Sequence, residues 1–202
     1  MVVDFHAYFQ TQSFLDRLRR RREYPRIERT AEGEVVWSGP GAARRIRPEQ
    51  TDIARRVEQL ADAGIDTQIL RLQNVSGVDA FEAAEGRDIA RAANEEMSAI
   101  ARRYPGRFIP YATVHWERVH AAERPLPVRP VEALRRYYLE TASGHPAAIR
   151  MTAEVTGADR LVFGSDYPSF DFKRALKSVR ECGLPPEQIE QILGGNAVGL
   201  IT

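Results

Sequence analysis

The sequence predicts an α/β fold built on a parallel sheet, and three observations lead there. Short apolar runs suited to strands alternate with longer stretches of helical spacing. The first such run divides into one polar and one apolar face. A late apolar run ends on a carboxylate, which is where parallel sheets place their chemistry.

Val2 to Phe9 reads as the first strand. Ser13 to Glu23 reads as a helix, with Phe14, Leu15 and Leu18 on one side and arginines on the other. Residues 24–48 form an excursion in which Ile27 and Val35-Val36-Trp37 make a hairpin around Glu32-Gly33. Ile53, Val57, Leu60 and Ala61 restore helical spacing, and Gly64 stands where a helix ends. A strand at Gln68 to Leu72 follows, then a long helix from Ala80 to Tyr104 that Pro105-Gly106 terminates. Phe108 to Trp116, Tyr137 to Ala142 and Arg160 to Ser165 complete about five recognisable strands. Further helices are predicted at Pro146 to Val155, Phe172 to Cys182 and Pro186 to Leu193. Helices between short strands favour right-handed crossovers and a parallel sheet.

Composition narrows the function. The 202 residues suit one domain; 43% are hydrophobic and 28% charged, in the globular range. A net charge of +1 gives no general attraction to nucleic acid or to an acidic membrane surface. The run Arg19-Arg20-Arg21-Arg22, with Arg17 before it, has acidic neighbours and no interleaved aromatics, so it reads as a wet helix face. No apolar run reaches the about 18 residues of a membrane span, and Asp4 and His6 interrupt the N-terminal apolar stretch, unlike a secretion signal. Cys182 is the single cysteine, which excludes an intrachain disulfide and predicts a reducing, cytoplasmic setting.

Two strand ends hold the chemistry. Period two puts Asp4, His6 and Tyr8 on one face of the first strand and Val3, Phe5, Ala7 and Phe9 on the other. That division suits a surface strand with a wet side, and equally a strand whose polar face points to a site. In Leu161-Val162-Phe163-Gly164-Ser165-Asp166-Tyr167-Pro168 an apolar run delivers Asp166, and Pro168 stops the ladder. Asp at a strand end is also a common turn or cap residue.

Taken together these segments resemble a known family. Val3-Asp4-Phe5-His6-Ala7-Tyr8-Phe9 is similar to the Asp-x-His-x-His opening strand of amidohydrolase-related, metal-dependent hydrolases and decarboxylases of the aminocarboxymuconate-semialdehyde decarboxylase type. Residues 63–70, 92–95 and 105–108 resemble its second strand and the helix and strand that follow. Residues 157–168 resemble its terminal strand, and Gly195-Asn196-Ala197 its last helix. The resemblance implies an α/β fold of (β/α)8 TIM-like barrel type with a divalent metal, zinc first and manganese as the alternative, at its C-terminal mouth. It implies His6 and Asp166 as metal ligands, and Asp166 also as a proton acceptor.

The chain departs from the family in two ways. Tyr8 stands at the second histidine, where a neutral phenol ligates poorly but can position substrate. The resemblance also jumps from His115-Trp116 to residues 128–130, past the family's fourth to sixth strands and their histidines. A barrel of this kind takes about 250 residues, so the sequence predicts a single, shortened, incomplete barrel with an internal deletion junction near 117–130. His115, at the end of the third strand, is the substitute donor and catalytic candidate, or else an exposed histidine at a turn. His120 and His145 read as surface or capping residues, and Glu140 either lends a carboxylate or pairs with an arginine. Five strands cannot close eight, and open edges invite pairing. The sequence therefore predicts a homo-oligomer or the product of a damaged gene in preference to a lone monomer. The expected activity is hydrolysis or non-oxidative decarboxylation of a small carboxylated or lactone-like substrate. The alternative is an inactive descendant that binds a ligand or completes another subunit.

Overall fold

The computed structural model describes residues 1–73, 81–112, 137–142 and 144–201. Along the chain the elements are β1 (Val3–Phe9), α1 (Gln12–Arg19), β2 (Arg26–Thr30), β3 (Gly33–Gly39), β4 (Ala42–Arg45), α2 (Pro48–Thr51), α3 (Ile53–Ala63) and β5 (Thr67–Leu72). Then come α4 (Ala83–Arg103), β6 (Phe108–Pro110), β7 (Leu139–Glu140), α5 (Pro146–Thr156) and β8 (Leu161–Val162). The chain ends with α6 (Phe172–Arg180), α7 (Pro186–Glu190) and α8 (Asn196–Ile201), the last two joined by a π-helical turn at Gln191–Gly195. It divides into two compact units, one of Met1–Ala7, Val57–Ile69 and His120–Thr202, the other of Tyr8–Arg56 and Leu70–Val119.

In the first unit the apolar face of β1 is sealed. Val3 and Ala7 are fully buried, and Val3 packs with Val162 and Ala197, flanked by Phe5 and Ile201. Parallel pairing runs outward from there. Leu139 pairs with Leu161 and Glu140 with Val162, so β7 lies beside β8. The segment after β8 runs along β1: Phe5 N–H donates to Phe163 O at 2.7 Å and Asp166 N–H to His6 O at 2.8 Å. Ala7 and Tyr167 form a parallel bridge. On the other side of β1, Asp66 N–H donates to Val2 O at 3.0 Å, giving the order β7, β8, β1, β5. The sequence-predicted C-terminal glycine of α3 acts as expected. Gly64 has φ +70°, Ile65 N–H reaches back to Leu60 O, and the chain turns straight into β5. Asp171 Oδ1 accepts from the N–H groups of Lys173 and Arg174 and starts α6. Phe172, Ala175, Leu176 and Val179 are that helix's buried stripe.

In the second unit the order is β1, β5, β6. Gln73 N–H donates to Phe9 O, and Tyr111 N–H to Leu70 O. Helix α4 connects β5 to β6 and packs on α1, whose free N-terminal amides at Gln12 and Ser13 are capped by the Glu96 carboxylate at 2.8 and 2.9 Å. The excursion of residues 24–48 carries an antiparallel sheet in which Ile27 faces Val36 and Val36 faces Arg44. Arg56 is fully buried, and its Nη2 donates to Tyr8 O and Glu49 O.

Several elements are shorter than the sequence predicts. Helix α1 stops at Arg19 because Arg20 to Glu23 offers no apolar residue to bury, and the Arg21 guanidinium turns to Pro25 O. Strand β6 ends at Pro110, with one further bond from Tyr111 N–H to Leu70 O; residues 113–116 of the expected strand lie outside the described residues. Strand β7 covers only Leu139–Glu140 before Gly144 N–H closes a turn on Thr141 O. Strand β4 is an element the sequence reading did not contain. The parallel α/β arrangement is present; among the described residues no sheet closes into a barrel. The expected junction near 117–130 lies outside the described residues.

Candidate functional site

The site of the first unit starts from a buried carboxylate. Asp4 is fully buried on β1, and its oxygens accept from Ser165 N–H (2.9 Å), Ser165 Oγ–H (2.6 Å), Gln68 Nε2 (2.7 Å) and His6 N–H (3.2 Å). Burial pushes its carboxyl above the usual carboxylate range, against these donors, which pull it down. With both oxygens used by protein donors, Asp4 is a structural clamp. It ties β1 to β5 and to the segment that bears Asp166.

Clamping Ser165 sets the next residue. Asp166 has φ +55°, the one non-glycine positive φ among the described residues, a conformation that Asp tolerates better than most. Its amide is held by His6 O, and its own carbonyl accepts from Ser169 N–H at 2.7 Å. The result is a carboxylate turned toward the His6 ring: His6 Nε2 lies 3.5 Å from Asp166 Oδ1. On the opposite edge of the ring, His6 Nδ1 lies 3.5 Å from Glu140 Oε1. Glu140 thus faces a histidine rather than the arginine that sequence reading offered. Its other oxygen, Oε2, accepts from Ala142 N–H at 2.6 Å.

Gly164 makes this convergence possible. A Cβ there would lie 2.6 Å from Glu140 Oε2 and 2.8 Å from His6 Cβ, so only a glycine lets both side chains close over the strand. The exposures grade outward, 14% for the His6 side chain, 23% for Asp166 and 37% for Glu140, as in a site open on one side.

Two ligands each about 2.1 Å from a shared ion, at a near-tetrahedral angle, stand about 3.4 Å apart. His6 Nε2 and Asp166 Oδ1 therefore fit two neighbouring positions of a divalent cation. Among the described residues no group of three or more His, Cys, Asp and Glu side chains is arranged to hold an ion. The reason is visible: Glu140 and Asp166 face opposite nitrogens of one ring and do not converge on a point.

The remaining sequence candidates fall elsewhere. Tyr8 belongs to the second unit, where the Arg71 guanidinium lies 5.7 Å from its ring centre and 5.2 Å from that of Tyr111. His115 and His120 lie outside the described residues. His145 precedes α5 as its N-terminal flanking residue, without a side-chain capping bond. Of the arginine run, Arg19 forks onto Glu34 and Arg21 lies 3.5 Å from Glu85. The sequence places Asp4 on the polar face but marks neither its burial nor the parts of Gln68, Ser165 and Gly164; the one local signal is a glycine inside an apolar strand.

Imidazole and carboxylate side chains from neighbouring segments of a parallel α/β sheet meet at this point. Residues 114–200 match the sequence model of the Amidohydrolase family. No curated protein matches it by sequence. Among solved structures, 5-carboxyvanillate decarboxylase LigW of Sphingomonas paucimobilis is similar at 15% identity and TM-score 0.78, covering 99% of this chain and 98% of that one. The apo IDCase of Metarhizium anisopliae is similar at 12% identity and TM-score 0.81, covering 100% and 97%. The 5-carboxyvanillate decarboxylase of Novosphingobium aromaticivorans, complexed with manganese and 4-hydroxy-3-methoxy-5-nitrobenzoic acid, is similar at 12% identity and TM-score 0.74, covering 98% and 95%. At these identities the likeness is one of fold.

Proposed function

We propose that this chain is a metal-assisted, non-oxidative carboxy-lyase acting on a small aromatic carboxylate, on a single shortened amidohydrolase-type barrel. The observation that carries the reading is the 3.5 Å spacing of His6 Nε2 and Asp166 Oδ1, which suits a shared divalent ion. The structural neighbours favour decarboxylation over hydrolysis, and one of them holds manganese with a substituted benzoate. Two protein donors leave the other positions to water and substrate, a pattern nearer to manganese than to the three-ligand zinc of catalytic sites. When bound, the ion polarises a substrate oxygen and draws off developing negative charge.

The chain's own groups do the rest. His6 anchors one side of the site through its ring, held on β1 by Asp4 at its backbone N–H. Asp166, partly exposed on a fixed backbone, holds or moves a proton at its carboxylate oxygens as the carboxyl–carbon bond breaks and the ring carbon takes up a proton. The reading includes a homo-oligomer in the cytoplasm, since the sheet edges need covering. No described helix is long and apolar enough to cross a membrane.

A second reading, a non-catalytic relative, is favoured by one observation: the described residues contain no three-donor metal group. One experiment separates the two. The purified chain is incubated with Mn²⁺ and a panel of hydroxylated benzoates, and carbon dioxide and the decarboxylated product are followed. The enzyme reading expects manganese-dependent product that Asp166→Asn abolishes; absence of product with every substrate leaves the non-catalytic reading.

A further inference from the structure

We propose that the second unit carries a recognition pocket for an uncharged hydroxyl group of a small ligand, with Gln10 as its hydrogen-bond acceptor. The pocket is independent of the reading of His6 and Asp166 and adds a site to the chain.

Three glutamines meet there. Gln10 directly follows β1, Gln73 directly follows β5 and Gln50 sits in α2; all three are buried, Gln10 to 5% exposure. Backbone bonds fix their places: Gln10 N–H donates to Gln50 O at 2.8 Å and Gln73 N–H to Phe9 O at 3.0 Å. Parallel α/β sheets bind ligands beyond the carboxyl ends of their strands, which is where Gln10 and Gln73 stand.

One backbone group sets the direction of every side-chain amide. Arg47 N–H donates to Gln50 Oε1 at 2.7 Å, and a backbone N–H can only donate. Gln50 therefore turns its Nε2 to Gln73, and the atom it meets at 2.6 Å is the acceptor, Oε1. The same oxygen accepts from Gln10 Nε2 at 3.3 Å, which leaves Oε1 as the other end of the Gln10 amide. That oxygen is buried and has no donor among the described residues. A buried acceptor in this condition costs free energy, which an incoming donor recovers.

The adjoining cavity sets the size of the donor. It has a volume of about 20 Å³, is walled by Val36 and Ile46 with the three glutamines, and reaches the surface at the exposed Arg44 of β4. That is room for one hydroxyl-sized group. The 3.3 Å link to Gln73 is the longer of the two, and the terminal torsion of a glutamine is broad, so the Gln10 amide can turn its oxygen to the newcomer. A carboxylate has no proton to donate, and an ammonium is repelled by the arginine at the mouth. An uncharged hydroxyl satisfies all of these conditions.

The test uses the purified full chain with ¹⁵N-labelled glutamine, its side-chain amide resonances assigned with Gln10→Leu and Gln73→Leu. The probe is methanol, titrated beside acetonitrile, which is of similar size but has no hydroxyl, and beside formate and methylammonium. The expected result is a saturable shift of the Gln10 side-chain amide with methanol alone, relayed to the Gln73 signal and lost from it in Gln10→Leu. No saturable shift in the unaltered chain, as a sealed structural water would give, overturns the proposal even if the leucine variant does not fold. An equal shift with acetonitrile overturns it too, because no donor is then needed, and an equal shift with methylammonium overturns the uncharged class. A folded Gln10→Leu whose Gln73 signal still answers methanol overturns the role of Gln10.

Discussion

Gly164→Ala is the substitution whose cost the structure defines most sharply. The added methyl would sit 2.6 Å from Glu140 Oε2, 2.8 Å from His6 Cβ and 3.3 Å from Glu140 Cβ. The first two are closer than van der Waals contact allows. The carboxylate oxygen lies at the end of a flexible side chain, but moving it breaks the 2.6 Å bond to Ala142 N–H. His6 Cβ belongs to β1, whose backbone is bonded on both sides, so that contact yields only by shifting a strand. Overpacking of this sort costs about 1–3 kcal/mol, and loss of a charged hydrogen bond adds about 1.5 kcal/mol. We expect a destabilisation of about 3 kcal/mol in urea unfolding, roughly a hundredfold in the folding equilibrium. Gly199→Ala is the control. It sits in α8 with nothing within 4 Å of the new methyl, and alanine's helix propensity should stabilise it by about 0.5–1 kcal/mol. Equal stability of Gly164→Ala and the native chain would refute the reasoning, because it would mean that β1, β7 and the Asp166 segment are not packed as described.

Three further outcomes follow from individual residues. Asp166→Gly removes the side chain from a φ of +55°, so the variant should be as stable as the native chain or up to about 1 kcal/mol more so, while losing divalent-metal binding; thermal melts with and without Mn²⁺ check both. The Arg19 guanidinium forks onto Glu34 at 2.9 and 2.7 Å and holds its carboxyl below the usual carboxylate range. The stabilisation is therefore present above the unfolded-state value of about 4.3 and lost as pH falls through the lower folded-state value. Glu34→Gln should accordingly cost about 1 kcal/mol at pH 7 and nothing once both forms are protonated, as measured by urea unfolding across pH. Arg56→Leu leaves the carbonyls of Tyr8 and Glu49 without their buried donor and should cost about 2–4 kcal/mol in the same assay.

Much of the sheet was legible in the sequence because period two and helical spacing are local properties. The alternation in Val3 to Phe9 separated the buried face from the polar one, and Val3, Ala7 and Phe9 are buried as that pattern requires. The same alternation could not tell Asp4 from His6. Asp4 vanishes into the interior because Ser165 and Gln68 donate to it, 161 and 64 residues away, and periodicity is blind to such partners. Glu140 was readable only as a carboxylate at a strand; the histidine it faces comes from the opposite end of the chain. The sequence predicts a longer α1 because arginines have good helix propensity, yet propensity without an apolar face to bury does not extend the helix beyond Arg19.

The central claim is that one divalent ion is shared by His6 and Asp166. Its most direct measurement is Mn²⁺ titration of the purified full chain by electron paramagnetic resonance, with His6→Asn and Asp166→Asn beside it. The account predicts one manganese per chain, with ¹⁴N coupling from an imidazole that disappears in His6→Asn and a much weakened affinity in Asp166→Asn. Binding that is untouched by either substitution, or no binding by a folded native chain, would contradict it.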